Sequence, residues 1–202
     1  MTWSLVWVVA AGMTALAMQA VPGPALTGAP LVASLRSGGL VLVMRHASAP
    51  REAPSPKAAH ADNPTRERQL DIDGERGATA LGEAVRALRI PIAAVRSSPT
   101  YRARQTVQFA RLAPMTVVEA LGDGGQSMAG VTQAQAEWLR DEAAMTPPAG
   151  NVLLVTHAPN LTRAFPEWGA TVADGEIVVL RQGVVVGRIP IAQWPALQRA
   201  AP

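Results

Sequence analysis

Leu40-Val41-Leu42-Val43-Met44-Arg45-His46-Ala47 is the stretch on which the fold turns. An apolar run without alternation reads as a strand buried on both faces. Arg45 and His46 then fall where that strand must leave the sheet. In open α/β sheets, ligands sit beyond the carboxyl ends of the strands. A guanidinium at that place holds an oxyanion through forked hydrogen bonds. A neutral imidazole beside it is a nucleophile able to take up a phosphoryl group. Taken alone, the dipeptide reads equally as a capping Arg and a strand-end His satisfied by backbone.

Two further segments share the same grammar of strand, tight break and first helical turn. One is Ser97-Ser98-Pro99-Thr100-Tyr101-Arg102-Ala103-Arg104-Gln105-Thr106. The other is Val152-Leu153-Leu154-Val155-Thr156-His157-Ala158-Pro159-Asn160-Leu161. Three strand ends thus deliver Arg45, His46, Arg102 and His157. In this order the motifs resemble those of the histidine phosphatase superfamily, also called phosphoglycerate-mutase-like. Its signatures are Arg-His-Gly, then Ser-Pro-x-x-Arg-Ala-x-x-Thr, then a later strand ending in His. The chain departs at Ala47, where the family usually has Gly. The resemblance covers the chain from about Leu40 to the region of Trp194.

The resemblance implies a three-layer αβα sandwich around a mostly parallel sheet, and an enzyme of phosphomonoester hydrolysis through a phosphohistidine. His46 is the expected nucleophile. Arg45 and Arg102 are expected to bind non-bridging phosphate oxygens, with His157 completing the cradle; Asn160 reads equally as approaching the phosphate from a helix start or as a capping residue. In many relatives a Leu-x-Glu step carries the group that protonates the leaving alkoxide. Leu121-Gly122-Asp123 occupies that place, so Asp123 is the expected general acid and Glu119 the alternative. Arg68 matches an Arg-x-Leu that supports the neighbouring loop in small branches.

The alternation of strand and helix along the rest of the chain points to the same layered fold. Strands are expected over 40–44, 92–96, 115–121 and 151–156, with a hairpin over 176–180 and 184–189 turning at Arg181-Gln182-Gly183. Helices are expected over 74–88, from Pro99 to about Leu112 with Ser98 as N-cap, from Thr132 in a capping box to about Met145, at Pro159, and over 193–200 with Trp194 as a core anchor. Residues 47–63 form a long loop and 122–130 a Gly-rich one. His60 reads as a solvated loop residue and Arg104 as a solvated helix residue.

The chain has 202 residues, 49% of them hydrophobic and 16% charged, which excludes a disordered protein and is enough for one ordinary domain. No charged side chain precedes Arg36. The apolar run over 3–20, followed by Pro22-Gly23-Pro24, reads as a secretory signal peptide, with an uncleaved anchor or a buried helix as the rivals. Residues 1–30 are therefore expected to be a signal or anchor plus linker, and 31–202 the catalytic domain in the periplasm or otherwise exported. The absence of cysteine rules out disulfides and thiolate metal sites.

The net charge is +3, and Lys57 is the only lysine. Dispersed arginines fit a small phosphorylated substrate, and an anionic envelope surface as a further contact, rather than nucleic acid. No cofactor is expected. The oligomeric state is not legible. Other readings are an inactive phosphate-binding or scaffold protein of the same fold, and a phosphohistidine protein phosphatase. A metallohydrolase using His46, His60 and His157 is disfavoured by Arg45, whose charge would repel the cation.

Overall fold

The computed structural model describes residues 25–112, 114–125 and 130–200. The signal segment read at 3–20 lies outside the described residues. Among them, no helix is long and apolar enough to cross a membrane.

In chain order the elements are α1 (Gly28–Ser37), β1 (Val41–Arg45), α2 (Ile72–Ala87), β2 (Ile92–Ser97), α3 (Tyr101–Ala110), β3 (Met115–Val117), α4 (Gln133–Ala144), β4 (Asn151–Thr156), α5 (Ala158–Ala164), β5 (Ile177–Arg181), β6 (Val184–Ile189) and α6 (Trp194–Ala200). They build a six-stranded sheet in the order β3-β2-β4-β1-β5-β6. β1 pairs parallel with β4, and β2 parallel with β3 and β4. β5 is antiparallel to both β1 and β6. Its hairpin turns at Gln182 and Gly183, both with positive φ (50° and 78°), as a two-residue turn matched to strand twist requires.

The unbroken apolar run of β1 serves both faces of the sheet. Leu42 and Met44 point into a core made with Leu31 and Leu35 of α1, Leu81 and Val85 of α2, Val107 of α3 and Trp194 of α6. Val41 and Val43 point into a second core with Leu139 of α4 and Leu161 of α5. β4 and β5 alternate in the same way, with Leu153 and Val179 on the first side and Leu154 and Val178 on the second. Helices therefore cover both faces, and the layered fold expected from the pattern is the one observed.

Four local expectations are corrected. The linker read up to residue 30 gives way at Gly28, which opens α1. Its Leu31, Val32 and Leu35 are buried, and the backbone N–H of Leu26 donates to Val186 O (2.8 Å) along the β6 edge. α2 starts earlier than 74 because Asp71 caps it, accepting from Gly74 N (2.8 Å) while Ser48 Oγ holds its other oxygen (2.6 Å). β3 is only three residues, not 115–121. Glu119–Leu121 is a 3₁₀ turn, pinned where Thr156 Oγ1 donates to Leu121 O (2.8 Å). The N-cap of α3 is Thr100 rather than Ser98, and the helix begins at Tyr101.

Asn151 knits α1 to the sheet. Its Oδ1 accepts from Leu40 N (3.2 Å), and its Nδ2 donates to Leu35 O (2.7 Å) and Pro91 O (3.0 Å). Asn151→Ala would leave the buried Leu40 N–H unpaired, a loss costing about 1–3 kcal/mol, while Pro91 O and Leu35 O keep the backbone donors Asn151 N–H and Gly38 N–H. Urea unfolding should show a lower midpoint for the variant with the slope retained; an unchanged midpoint would refute this role.

Candidate active site

Strand register assembles the site. Arg45 of β1 lies opposite Thr156 of β4, so the next residues, His46 and His157, leave the sheet side by side. His46 N–H donates to Thr156 O (3.0 Å), the last rung of that ladder. The two imidazoles have ring centroids 5.1 Å apart. β2 flanks β4 on its other side, with Ser97 opposite Val155, and delivers Ser98 and then α3. α3 carries Arg102. His46, Arg102 and His157 retain only 4%, 3% and 1% of their exposure, so the cluster is buried.

The hydrogen bonds assign the tautomers. His46 Nδ1 lies 2.7 Å from Ala47 O, and a carbonyl only accepts, so Nδ1 carries the proton. His46 Nε2 receives Arg102 Nε–H (3.2 Å), so this nitrogen holds a lone pair facing the guanidinium. His157 Nδ1 faces Arg102 Nη2 (3.1 Å), which only donates. Its proton is therefore on Nε2, which donates to Ser98 Oγ (2.7 Å) and lies 3.2 Å from Thr100 Oγ1. Burial, reinforced by Arg102 and Arg45, pushes the His46 pKa down to about 3 despite the Ala47 carbonyl. Burial and Arg102 hold His157 well below the ordinary histidine range. Both rings are neutral near pH 7, as a nucleophilic imidazole requires.

Arg102 is the hub. Besides the two histidines, its Nη2 donates to Asp123 Oδ2 (2.5 Å). That oxygen is 3.5 Å from His157 Nδ1. Asp123, not Glu119, is thus the carboxylate at the cradle. Glu119 lines an adjoining cavity of about 430 Å³ with Thr65, Glu67, Thr100 and the glycines on either side of Asp123.

Arg45 is tied at both terminal nitrogens, to Val172 O (3.0 Å) and to Asp174 (2.7 Å). Its Nε is buried with no hydrogen-bond partner among the described residues. Arg68 donates to Pro50 O (2.6 Å) and Ala49 O (3.1 Å), so it supports the loop as expected. Its charge also acts on both histidines, which adds a third guanidinium to the field of the site.

Asn160 departs from expectation. Its Nδ2 donates to Gly122 O (2.9 Å), so it holds the loop bearing Asp123 instead of presenting a donor to an anion. Gln135 Nε2 grips the same carbonyl (2.8 Å). His60 is also corrected: it is half-buried, with Nδ1 at Gln105 Nε2 (2.9 Å) and Nε2 at Glu75 (3.5 Å). It faces a separate cavity with Asp62 and Tyr101, away from the paired histidines. Arg104 is half-buried and stacks 5.8 Å above the Tyr101 ring.

Several working residues escaped the sequence reading. Thr106 Oγ1 accepts from Ala47 N (3.0 Å) and donates to Arg102 O (2.9 Å), locking the loop that follows His46 to α3. Glu67 accepts from Tyr101 N (3.0 Å) at the α3 N-terminus. Ser98 reads as a cap residue in sequence but serves His157, and Thr100, the observed N-cap, lies beside the same imidazole. The Ser-Pro-x-x-Arg-Ala-x-x-Thr spacing was the available signal for Ser98 and Thr106; nothing local marks Glu67.

The depressed His46 pKa carries a stability consequence. The unfolded chain binds this proton near the ordinary pKa of 6.5 and the folded chain only near 3, so stability falls as pH drops through that window. Between about pH 7 and about pH 5 the loss from His46 is about 2 kcal/mol. His46→Gln should show a shallower fall in urea midpoint over this range; parallel curves for the two proteins would contradict the assignment.

No known family profile matches the chain, and no curated protein sequence does. Solved structures do resemble it. One is the protein histidine phosphatase SixA complexed with tungstate, 17% identical, covering 76% of this chain and 98% of its own, with a TM-score of 0.54. Another, from Agrobacterium tumefaciens and also described as a SixA phosphohistidine phosphatase, is 16% identical, covers 75% of this chain and 98% of its own, and has a TM-score of 0.53. The chain therefore has the phosphoglycerate-mutase-like fold of these structures.

Proposed function

We propose that this protein is a phosphatase that hydrolyses phosphomonoesters through a phosphohistidine on His46. One observation carries the reading. A neutral imidazole whose Nε2 lone pair accepts from a buried guanidinium stands among further cationic groups in a cluster built from three strand ends.

In the first step His46 Nε2 attacks phosphorus and the ester P–O bond breaks. The leaving oxygen takes its proton from the carboxylic acid form of Asp123, which stands between the cradle and the adjoining cavity. Arg102 and the free Nε of Arg45 stabilise the charge spread over the non-bridging oxygens. In the second step water attacks phosphorus, the P–N bond breaks and Asp123 takes the proton from water. His46 regains its lone pair, and inorganic phosphate remains in the cradle. Ser98 and Thr100 keep His157 in one tautomer throughout.

A second reading takes phosphohistidine itself as the substrate, an activity for which the two structural neighbours are named. Imidazole is a better leaving group than an alkoxide and needs less help from an acid. Asp123 at the cradle favours esters. The apolar run over 3–20 supports an envelope setting for the reaction.

Incubation with a labelled phosphate ester and acid-free quenching should trap an acid-labile phosphoenzyme in the wild type and none in His46→Ala. Phosphate binding without labelling would instead favour an inactive binding protein. Arg102→Ala should lower kcat/KM by the equivalent of about 2.7–4 kcal/mol, the effect of deleting one oxyanion donor. Near-normal turnover in the folded variant would remove Arg102 from the mechanism.

A further inference from the structure

The cradle already contains an anion of its own. Asp123 Oδ2 is 2.5 Å from Arg102 Nη2 and 3.5 Å from His157 Nδ1, so it occupies a guanidinium donor that an oxygen of a bound phosphate would take. The Arg102 side chain is 4% exposed and that of Asp123 15%. A buried guanidinium requires a counter-charge. Asp123 supplies it here, and a phosphate group can supply it instead. Both anions cannot occupy the same face of Nη2, since like charges at contact distance in a buried site repel strongly.

The surroundings let Asp123 move while its neighbours stay. Gly122 O is held from two helices, by Asn160 of α5 and Gln135 of α4 (2.9 and 2.8 Å). On the other side of Asp123 the chain runs through Gly124 and Gly125, with φ of 85° and 57°. Asp123 Oδ1 meanwhile accepts from Gly125 N (3.0 Å). The backbone before Asp123 is thus anchored, and the carboxylate alone needs to exchange partners.

We propose that Asp123 competes with phosphate for Arg102 and so discharges the product. Substrate entry displaces the carboxylate from Arg102 towards the leaving-group side, where it acts on the leaving oxygen. Once the P–N bond is hydrolysed, the carboxylate returns to Arg102 and the phosphate dianion leaves. The exchange carries one proton with it: away from Arg102 the carboxylate picks up a proton from solvent and becomes the acid, and after hydrolysis it gives the proton taken from water back to solvent before it pairs with Arg102 again. The proposal rests on the reading of the cradle as a phosphate site, and gives Asp123 a second task beyond proton transfer.

The test measures binding of inorganic phosphate to the full chain by titration calorimetry, for wild type, Asp123→Asn and Glu119→Gln. It is paired with steady-state turnover of ethyl phosphate and inhibition by phosphate. Asp123→Asn keeps the shape of the side chain and its acceptor for Gly125 N. It should bind phosphate about tenfold tighter or more, with the inhibition constant falling in step while kcat on the alkyl ester drops. Glu119→Gln removes a nearby carboxylate that does not touch Arg102, and should stay within about threefold of wild type in phosphate affinity. Equal or weaker phosphate binding by Asp123→Asn overturns the proposal. Equal tightening in both variants also overturns it, since that reports general charge and not competition at Arg102. If none of the three proteins binds phosphate, the phosphatase reading falls and this inference with it.

Discussion

Everything at the site depends on the parallel pairing of β1 with β4 in a register that sets Arg45 against Thr156. A slip of one residue would turn the slipped strand's side chains to the opposite layers. Because Val41, Leu42, Val43 and Met44 are all buried between two different sets of helices, that slip has no low-energy alternative. The same register sends His46 and His157 out of the sheet together. β2 on the far side of β4 adds Ser98 and starts the helix that carries Arg102. Function here is a by-product of core packing: the residues that never meet solvent decide where the reactive ones emerge.

The cluster also shows how charge is managed without water. Two histidines are kept neutral, while Arg102 is buried and satisfied by His46, His157 and Asp123 together. Arg45 is satisfied at its ends by Val172 and Asp174, and its Nε has no partner among the described residues. The result is a buried cluster in which the guanidiniums of Arg102 and Arg45 offer strongly directional donors. Such a preorganised set of donors suits a tetrahedral dianion, and it reorganises little when charge moves on to the equatorial oxygens.

Supporting contacts outnumber the reacting groups and come from distant parts of the chain. Thr106 joins the loop after β1 to α3, and Asn160 with Gln135 clamps the carbonyl preceding Asp123. Glu67, from the long loop, ends at the α3 N-terminus beside the cavity that adjoins the cradle. These residues touch no reacting atom, yet they fix the angles at which Arg102, His46 and Asp123 meet.

The amino-acid sequence by itself determined the strands and most helices, because unbroken apolar runs, Pro and Gly breaks and capping residues act over a few neighbours. Through the resemblance of its motifs to a known family it also pointed to His46, Arg102, His157 and Asp123, which the fold brings together. It could not show that α1 begins at Gly28, because that helix is held by burial against α6 and the sheet and carries no capping side chain. Nor could it distinguish Asn160 as a clamp from Asn160 as a ligand, or Ser98 as a cap from Ser98 as the partner of His157. Those assignments turn on which group stands across a gap of about 3 Å, as hydrogen bonding requires. Only the packing of non-adjacent strands and loops decides that distance.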